Sequence, residues 1–432
     1  MIMHTGAANL PLHYGKCPPW LFQRMKPLAA AIIQIIVEEF GPQEVLRRLS
    51  DPIWFQAFGS VLGFDWHSSG LTTTVCGALK EGLQPRQKEL GIFFAGGKGR
   101  TSRGTPAEIE QAGEKYGLPA DTVSLQYASR MAAKVDSAAV QDGYQIYHHF
   151  FVFTGEGEWA VVQQGMNGQT RWARRYHWLN TGKTNAGGMD FVREPHAAVC
   201  GDHAAAGLNM VAGEADRSRE VSALLAREKP ELVLKELDRI SRWSNAKNAV
   251  PRNHADLAPS GVQLNLPLDG EGNPLNLPKD PRTAKESRGA AISPEWMSSL
   301  AAIPEGAPSL TLPAPHWVPN ASRLDQILRA TFEEQPRDFA TLLATPGVGT
   351  GTVRALALVA EVTYGARASF RDPVRYSFAH GGKDGHPFPV DRPLYDQTIE
   401  TLEDALRRAK LDQPEKLKAL QRLAAWRGNA QA

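Results

Sequence analysis

Tyr144-Gln145-Ile146-Tyr147-His148-His149-Phe150-Phe151-Val152-Phe153, the turn Gly155-Glu156-Gly157-Glu158, and Trp159-Ala160-Val161-Val162-Gln163-Gln164 form the stretch that decides how the chain folds. Aromatic and β-branched side chains dominate both runs, and such residues suit a pleated, half-buried surface. A glycine-rich turn between them predicts a β-hairpin near residues 144–166. Upstream the apolar period is helical. Pro27 to Phe40 and Pro42 to Ser50 repeat apolar residues at three and four spacing, and Pro106 to Tyr116 opens on a proline after Thr105, a suitable N-cap. Two polar loops interrupt these helices, Gly63 to Thr74 and Gly96 to Thr105. After the hairpin, Thr170 to Trp178 mixes cations with aromatics, and a long helix is expected from about Glu220 to Trp243.

Residues 245–317 change character, with recurrent proline, frequent Gly, Asn and Asp, and apolar residues too scattered to line a helix; this segment reads as a linker. Helical periodicity returns at Leu324 to Glu333 and runs through Phe339 to Leu343, Thr352 to Tyr364 and Tyr395 to Ala409, with a basic helix near Lys416 to Arg427. The expected fold is α+β and mostly helical. It comprises an α+β domain over residues 1–244 with a β-hairpin or small antiparallel sheet, a Pro-rich linker over 245–317, and an all-α domain over 318–432.

Composition narrows the function classes. The 432 residues are 42% hydrophobic and 22% charged, with a net charge of +2, which is ordinary globular composition with no strong overall field for phosphates. Any nucleic-acid surface must arise from local clustering of Lys and Arg. Leu28 to Val37 is the longest apolar candidate, short of the roughly eighteen residues a spanning helix needs, and Met1 to Tyr14 lacks a secretory pattern. The cytoplasm is therefore expected, with no membrane partner. Cys17, Cys76 and Cys200 provide neither a disulfide framework nor zinc-ligand spacing.

Leu342-Leu343-Ala344-Thr345-Pro346-Gly347-Val348-Gly349-Thr350-Gly351-Thr352-Val353-Arg354 joins two apolar helices by Pro-Gly-Val-Gly, and it resembles the helix-hairpin-helix element of DNA-binding and DNA-repair proteins. Glycines permit the tight turn, and amides at the start of the second helix suit a phosphate oxygen. By this resemblance Gly347, Val348, Gly349, Gly351 and Thr352 would contact the duplex backbone. In base-excision glycosylases of this type a Val-Asp at a helix start supplies the catalytic carboxylate, which implies Asp391 in Val390-Asp391. Asp391 lies further from Gly349 than that pattern leads one to expect, and Gly351 stands where lyase-competent members carry a Schiff-base lysine. The resemblance thus implies at most simple base removal; the alternative role for Asp391 is a plain N-cap.

Across most of its length the chain also resembles an uncharacterised family of archaeal and bacterial proteins, catalogued as domain of unknown function number seven hundred and sixty-three. The similarity rests on Thr5 to His13, Gly63 to Gly70, Lys134-Val135-Asp136, Val162 to Met166, Arg174 to Trp178 and Tyr376 to Asp391. It carries no reaction type.

Asp65 and His67, Lys134 with Asp136, Gln164, and His148, His149 and His177 could converge as carboxylates and imidazoles do in metal-assisted phosphodiester cleavage, with Mg or Mn as the metal. Gln163 and Gln164 stand where strand-Asp, strand-Glu, Lys nucleases need a second carboxylate; the alternative is capped turns and ordinary polar packing. Lys98, Arg100 and Arg103, with Arg171, Arg174 and Arg175 beside Trp172, Tyr176 and Trp178, make a candidate phosphate-and-base surface. The leading expectation is a DNA-binding protein of the repair type, acting as a monofunctional glycosylase or a nuclease. The alternatives are a non-enzymatic nucleic-acid-binding module and an enzyme on small phosphorylated substrates that uses the Lys98 to Arg103 loop.

Overall fold

A computed structural model describes residues 17–64, 69–182, 189–201, 207–246, 321–374, 392–410 and 412–431. The chain opens with helices α1 (Pro19–Phe40), α2 (Pro42–Ser50), α3 (Pro52–Val61), α4 (Gly70–Leu83) and the short α5 (Gln87–Leu90). Asp51 caps α3 by accepting from the Ile53 and Trp54 amides at 2.8 and 3.3 Å. Helix α1 begins earlier than its periodicity suggests and carries Pro27 inside it. A proline costs a helical hydrogen bond, and burial of Leu28, Ala29, Ile32, Ile33 and Ile36 just beyond it offsets that loss. Among the described residues α1 is the helix long and apolar enough to cross a membrane, and in this fold its apolar face lies in the core.

Strand β1 (Ile92–Lys98) runs through Gly96 and Gly97, which composition alone assigns to a loop. Gly96 has φ +87°, and a Cβ there would lie 2.2 Å from the His149 carbonyl oxygen, so the strands approach this closely only because the side chain is missing. Helices α6 (Arg100–Arg103), α7 (Thr105–Tyr116) and α8 (Thr122–Lys134) follow; Thr105 is the first residue of α7 and Gly104 precedes it as the cap. A π turn, Val135–Ala139, leads into β2 (Val140–Gln141).

The expected hairpin is formed by β3 (Gln145–Thr154) and β4 (Trp159–Asn167), and it is the centre of a larger sheet. With β5 (Trp172–Asn180) and β6 (Ala198–Cys200) the order is β1-β3-β4-β5-β6, antiparallel throughout. Strand β7 (Leu208–Asn209) pairs with β2. The long helix expected from Glu220 is two, α9 (Asp216–Leu225) and α10 (Pro230–Ala246), because Pro230 lacks the amide needed to continue and starts a new helix instead.

The C-terminal described residues are helical: α11 (Ala321–Glu334), α12 (Phe339–Ala344), α13 (Thr350–Tyr364), α14 (Arg392–Arg408) and α15 (Gln413–Gln431). Alternate strand residues feed two cores. Phe94, Phe150, Val152 and Val162 pack with α1 to α4 and with Leu402, Leu406 and Leu423 of α14 and α15. Phe93, Phe151, Phe153, Val161 and Trp178 pack on the other face with α7 to α10 and with Leu342, Leu356 and Val359 of α12 and α13. The sheet is thus covered by helices on both faces, and each core draws on residues before 247 and after 320.

Candidate functional site

Two register rows across the middle of the sheet carry most of its polar side chains. Gly97, His149, Gln163, Tyr176 and Val199 are successive cross-strand partners, and so are Lys98, His148, Gln164, Arg175 and Cys200. Neighbouring residues of a strand point to opposite faces. The first row therefore faces α8 and the second faces α3 and α4.

On the α8 face, His149 Nδ1 is 2.8 Å from Gln163 Oε1 and its Nε2 is 2.9 Å from Ser129 Oγ. An amide oxygen only accepts, so Nδ1 carries the proton and Ser129 donates to Nε2. Burial pushes the His149 imidazole below its usual range, opposed by the Gln163 bond and the Asp136 charge. Gln163 Nε2 donates in turn to Asp136 at 2.5 Å, and the same carboxylate accepts from Trp178 Nε1 at 2.9 Å and pairs with His196 Nε2 at 2.5 Å. A second buried carboxylate, Asp142, accepts from Arg174 Nη1 at 2.8 Å and Tyr176 Oη at 2.7 Å, while Arg174 Nη2 reaches Asp372 at 2.9 Å. These bonds tie the segment after α13 to strand β5.

On the α4 face the row is positive. The Arg175 guanidinium is fully buried and donates to neutral acceptors: His177 Nε2 at 3.0 Å, Thr72 Oγ1 at 3.3 Å and Gln56 Oε1 at 3.0 Å, with its Cζ 4.8 Å from the Phe55 ring centroid. Among the described residues the charged and titratable groups acting on it are the Cys200 and Cys76 thiols rather than a carboxylate. Cys76 and Cys200 flank it as buried free thiols, and burial holds Cys200 up at about 12, in a form unsuited to nucleophilic chemistry. Gln164 Nε2 donates to the Ser69 carbonyl at 2.8 Å and to Tyr147 Oη at 2.5 Å, and its oxygen accepts from Thr72. His148 is buried, and among the described residues neither ring nitrogen has a hydrogen-bond partner.

The residues expected to act together are separated by this arrangement. Asp136 and Gln164 lie on opposite faces of the sheet, and Lys134 serves the hairpin: its Nζ donates to the Leu343 and Thr345 carbonyls at 2.7 and 2.8 Å, satisfying the end of α12. Asp65, His67 and Asp391 lie outside the described residues. Arg174 and Arg175, expected on a nucleic-acid surface, are interior because β5 is covered on both sides. Lys98, Arg100 and Arg103 are exposed and have no carboxylate partner among the described residues, and Arg171 is exposed in the β4–β5 turn at φ +61°. No group of three or more His, Cys, Asp or Glu side chains among the described residues is placed to hold a metal ion.

The turn between α12 and α13 takes the form its glycines allow. Gly347 has φ +85° and is exposed, Val348 is buried beneath it, and Gly349 is extended and caps α13. The first intrahelical bond runs from the Val353 amide to the Gly349 carbonyl at 3.0 Å, so the amides of Thr350, Gly351 and Thr352 precede any helical acceptor. Thr350 Oγ1 donates to the Ser137 carbonyl, Gln141 Nε2 donates to the Thr350 carbonyl, and Arg354 donates to Gln141 Oε1. Residues 134–141, which hold this turn, lead directly into the start of β3. That start faces the end of β1, where Lys98 partners His148. Residues 134–141, which hold the turn, and Lys98, at the end of β1, thus both adjoin the first residues of β3.

Sequence reasoning missed His148 and Tyr147 as a pair. Their signal is visible afterwards as consecutive polar residues, Tyr147-His148-His149, where an uninterrupted alternation would have placed one inside and one outside. No curated protein and no solved structure matches this chain. A family model does match, over residues 6–390, so the chain belongs to the family described as Protein of unknown function (DUF763).

Proposed function

We propose that this protein binds the phosphate backbone of duplex DNA and serves in DNA repair, with the α12–α13 turn as a helix-hairpin-helix contact. The observation that supports the reading is the exposed turn, whose first α13 amides have no acceptor among the described residues, together with the exposed cations Lys98, Arg100 and Arg103. Amides at a helix start accept an anion without reading sequence, and nearby cations add the salt-dependent part of the affinity. Lys134 and Gln141 are taken up in fastening the turn, so the phosphate contacts fall to its outer side.

Fluorescence anisotropy with a labelled duplex across roughly 50–200 mM salt tests this. Log affinity is expected to fall linearly with log salt, and Lys98→Glu, Arg100→Glu and Arg103→Glu together should flatten the slope by roughly one unit for each phosphate no longer neutralised. Gly351→Glu should weaken binding to all sequences alike. Affinity unchanged in both variants, with circular dichroism showing an intact fold, would overturn the reading.

Within it, Asp391 is the carboxylate for base removal, and Asp65 with His67 the groups for cleavage assisted by Mg²⁺ or Mn²⁺. Product analysis on a panel of damaged strands separates them: alkali-dependent breaks without metal point to Asp391, and direct breaks that need metal point to Asp65 and His67. Binding with no product at all would leave a non-enzymatic module.

A further inference from the structure

His148 is the costliest unexplained side chain in the described structure. It is 2% exposed, both ring nitrogens lack partners among the described residues, and its ring stacks on Phe150 at 6.3 Å between centroids. A buried polar group without a hydrogen bond opposes folding. The backbone beside it is also irregular: register slips between Ile146 and His148, so an extra residue is accommodated at Tyr147. Such bulges re-aim side chains, and this one turns Tyr147 to the same face as His148. Tyr147 Oη accepts from Gln164 on that face, and Lys98 Nζ lies 5.9 Å from the Tyr147 ring centroid.

The hydrogen-bond directions leave specific groups free. Because Gln164 donates to Tyr147 Oη, the tyrosine keeps its own proton for another acceptor. Lys98 has three donors and no anionic partner among the described residues, and Arg175, further along the row, adds a buried positive charge whose own donors are taken by neutral groups. The side of the sheet that holds the unpaired imidazole is therefore positive and rich in unused donors.

We propose that Lys98, Tyr147 and His148 form a binding site for a phosphoryl group, with Lys98 supplying charge, Tyr147 its hydroxyl proton and His148 a ring N–H. No hydrogen bond from the described residues anchors the imidazole, so rotating a ring nitrogen toward a ligand seated at Lys98 and Tyr147 breaks none of those described. The assignment of that phosphoryl group to the terminal phosphate of a nucleic-acid strand rests on the DNA-binding reading; the site itself does not.

The test is a titration of ¹⁵N-histidine-labelled full-length protein followed by the ring-nitrogen resonances of His148, assigned with His148→Phe. Inorganic phosphate is expected to shift both His148 nitrogens. Lys98→Ala, an exposed substitution, should raise the phosphate concentration needed by about tenfold, and Tyr147→Phe should raise it as well. Unmoved His148 resonances at saturating phosphate, or a shift indifferent to Lys98→Ala, overturn the site. A short single strand with a 5′ phosphate should act at lower concentration than the same strand without one; equal effects overturn the strand-end assignment and leave a small phosphate as the ligand. Gly351→Glu in the hairpin should leave the phosphate shift intact, so loss of duplex binding and loss of this site are read separately.

Discussion

Replacing His148 with phenylalanine should make the protein more resistant to acid. Burial, with the charges of His149 and Lys98 adding, lowers the His148 pKa from an ordinary 6.5 to about 3. Between those values the unfolded chain binds a proton that the folded chain refuses, so stability is lost as pH falls below about 6.5. At pH 5 the difference is about 1.5 pH units, or about 2 kcal/mol at 1.36 kcal/mol per unit, rising toward about 5 kcal/mol near pH 3. Phenylalanine keeps the ring stacked on Phe150 and removes both the proton linkage and the desolvated nitrogens, themselves worth about 1–3 kcal/mol. Urea denaturation of both proteins at pH 7.5 and pH 5.0 reads the effect. The variant should be the more stable at both, and its advantage should grow by about 2 kcal/mol at the lower pH. His149 and His177, also held neutral by burial, are present in both proteins and cancel. An advantage that does not change with pH, or a destabilised variant, would refute the assignment of an unpartnered neutral imidazole.

Other substitutions probe the rest of the architecture. Asp136→Ala strips the common acceptor from Gln163, Trp178 and His196 and should cost about 3–5 kcal/mol in urea denaturation, with Asp136→Asn costing less because one oxygen remains. Arg174→Met leaves Asp142 buried without its cation, and a similar loss of about 3–5 kcal/mol is expected, together with faster proteolysis after Asp372. Gly96→Ala drives a Cβ against the His149 carbonyl and should destabilise by well over the roughly 1–2 kcal/mol expected of Gly99→Ala, where φ is +62° but nothing lies within 4 Å. Equal melting temperatures for those two variants would contradict the close strand approach at Gly96.

The hairpin and most helices were legible because each obeys a local period: two for the strands over 145–154 and 159–167, and close to 3.6 for the helices. Strand β1 was not, since Gly96 and Gly97 carry no hydrophobic signal and their role depends on His149 arriving opposite. The division of α9 from α10 was written in Pro230, but the apolar spacing on both sides continues across it and masks the break. Arg174 and Arg175 illustrate the limit for function. Beside tryptophan and tyrosine in a sequence they suit a nucleic-acid surface; on a strand covered from both sides they become interior groups, one matched by Asp142 and Asp372 and the other by an amide, a hydroxyl and an imidazole.

By itself the sequence determined the β3–β4 hairpin, most of the helices, the glycine turn at residues 346–349 and family membership, because these depend on local periodicity, on conformations open to glycine, and on motifs read in order. The tertiary structure alone decided which neighbours share a face and which polar groups find partners. It sent Asp136 and Gln164 to opposite sides of one sheet, gave Lys134 to the carbonyls of α12, and left His148 with no hydrogen-bond partner among the described residues. Strand register makes that choice, since a shift of one residue turns a side chain from one core to the other, and the bulge at Tyr147 makes such a shift in the row that carries Lys98 and His148.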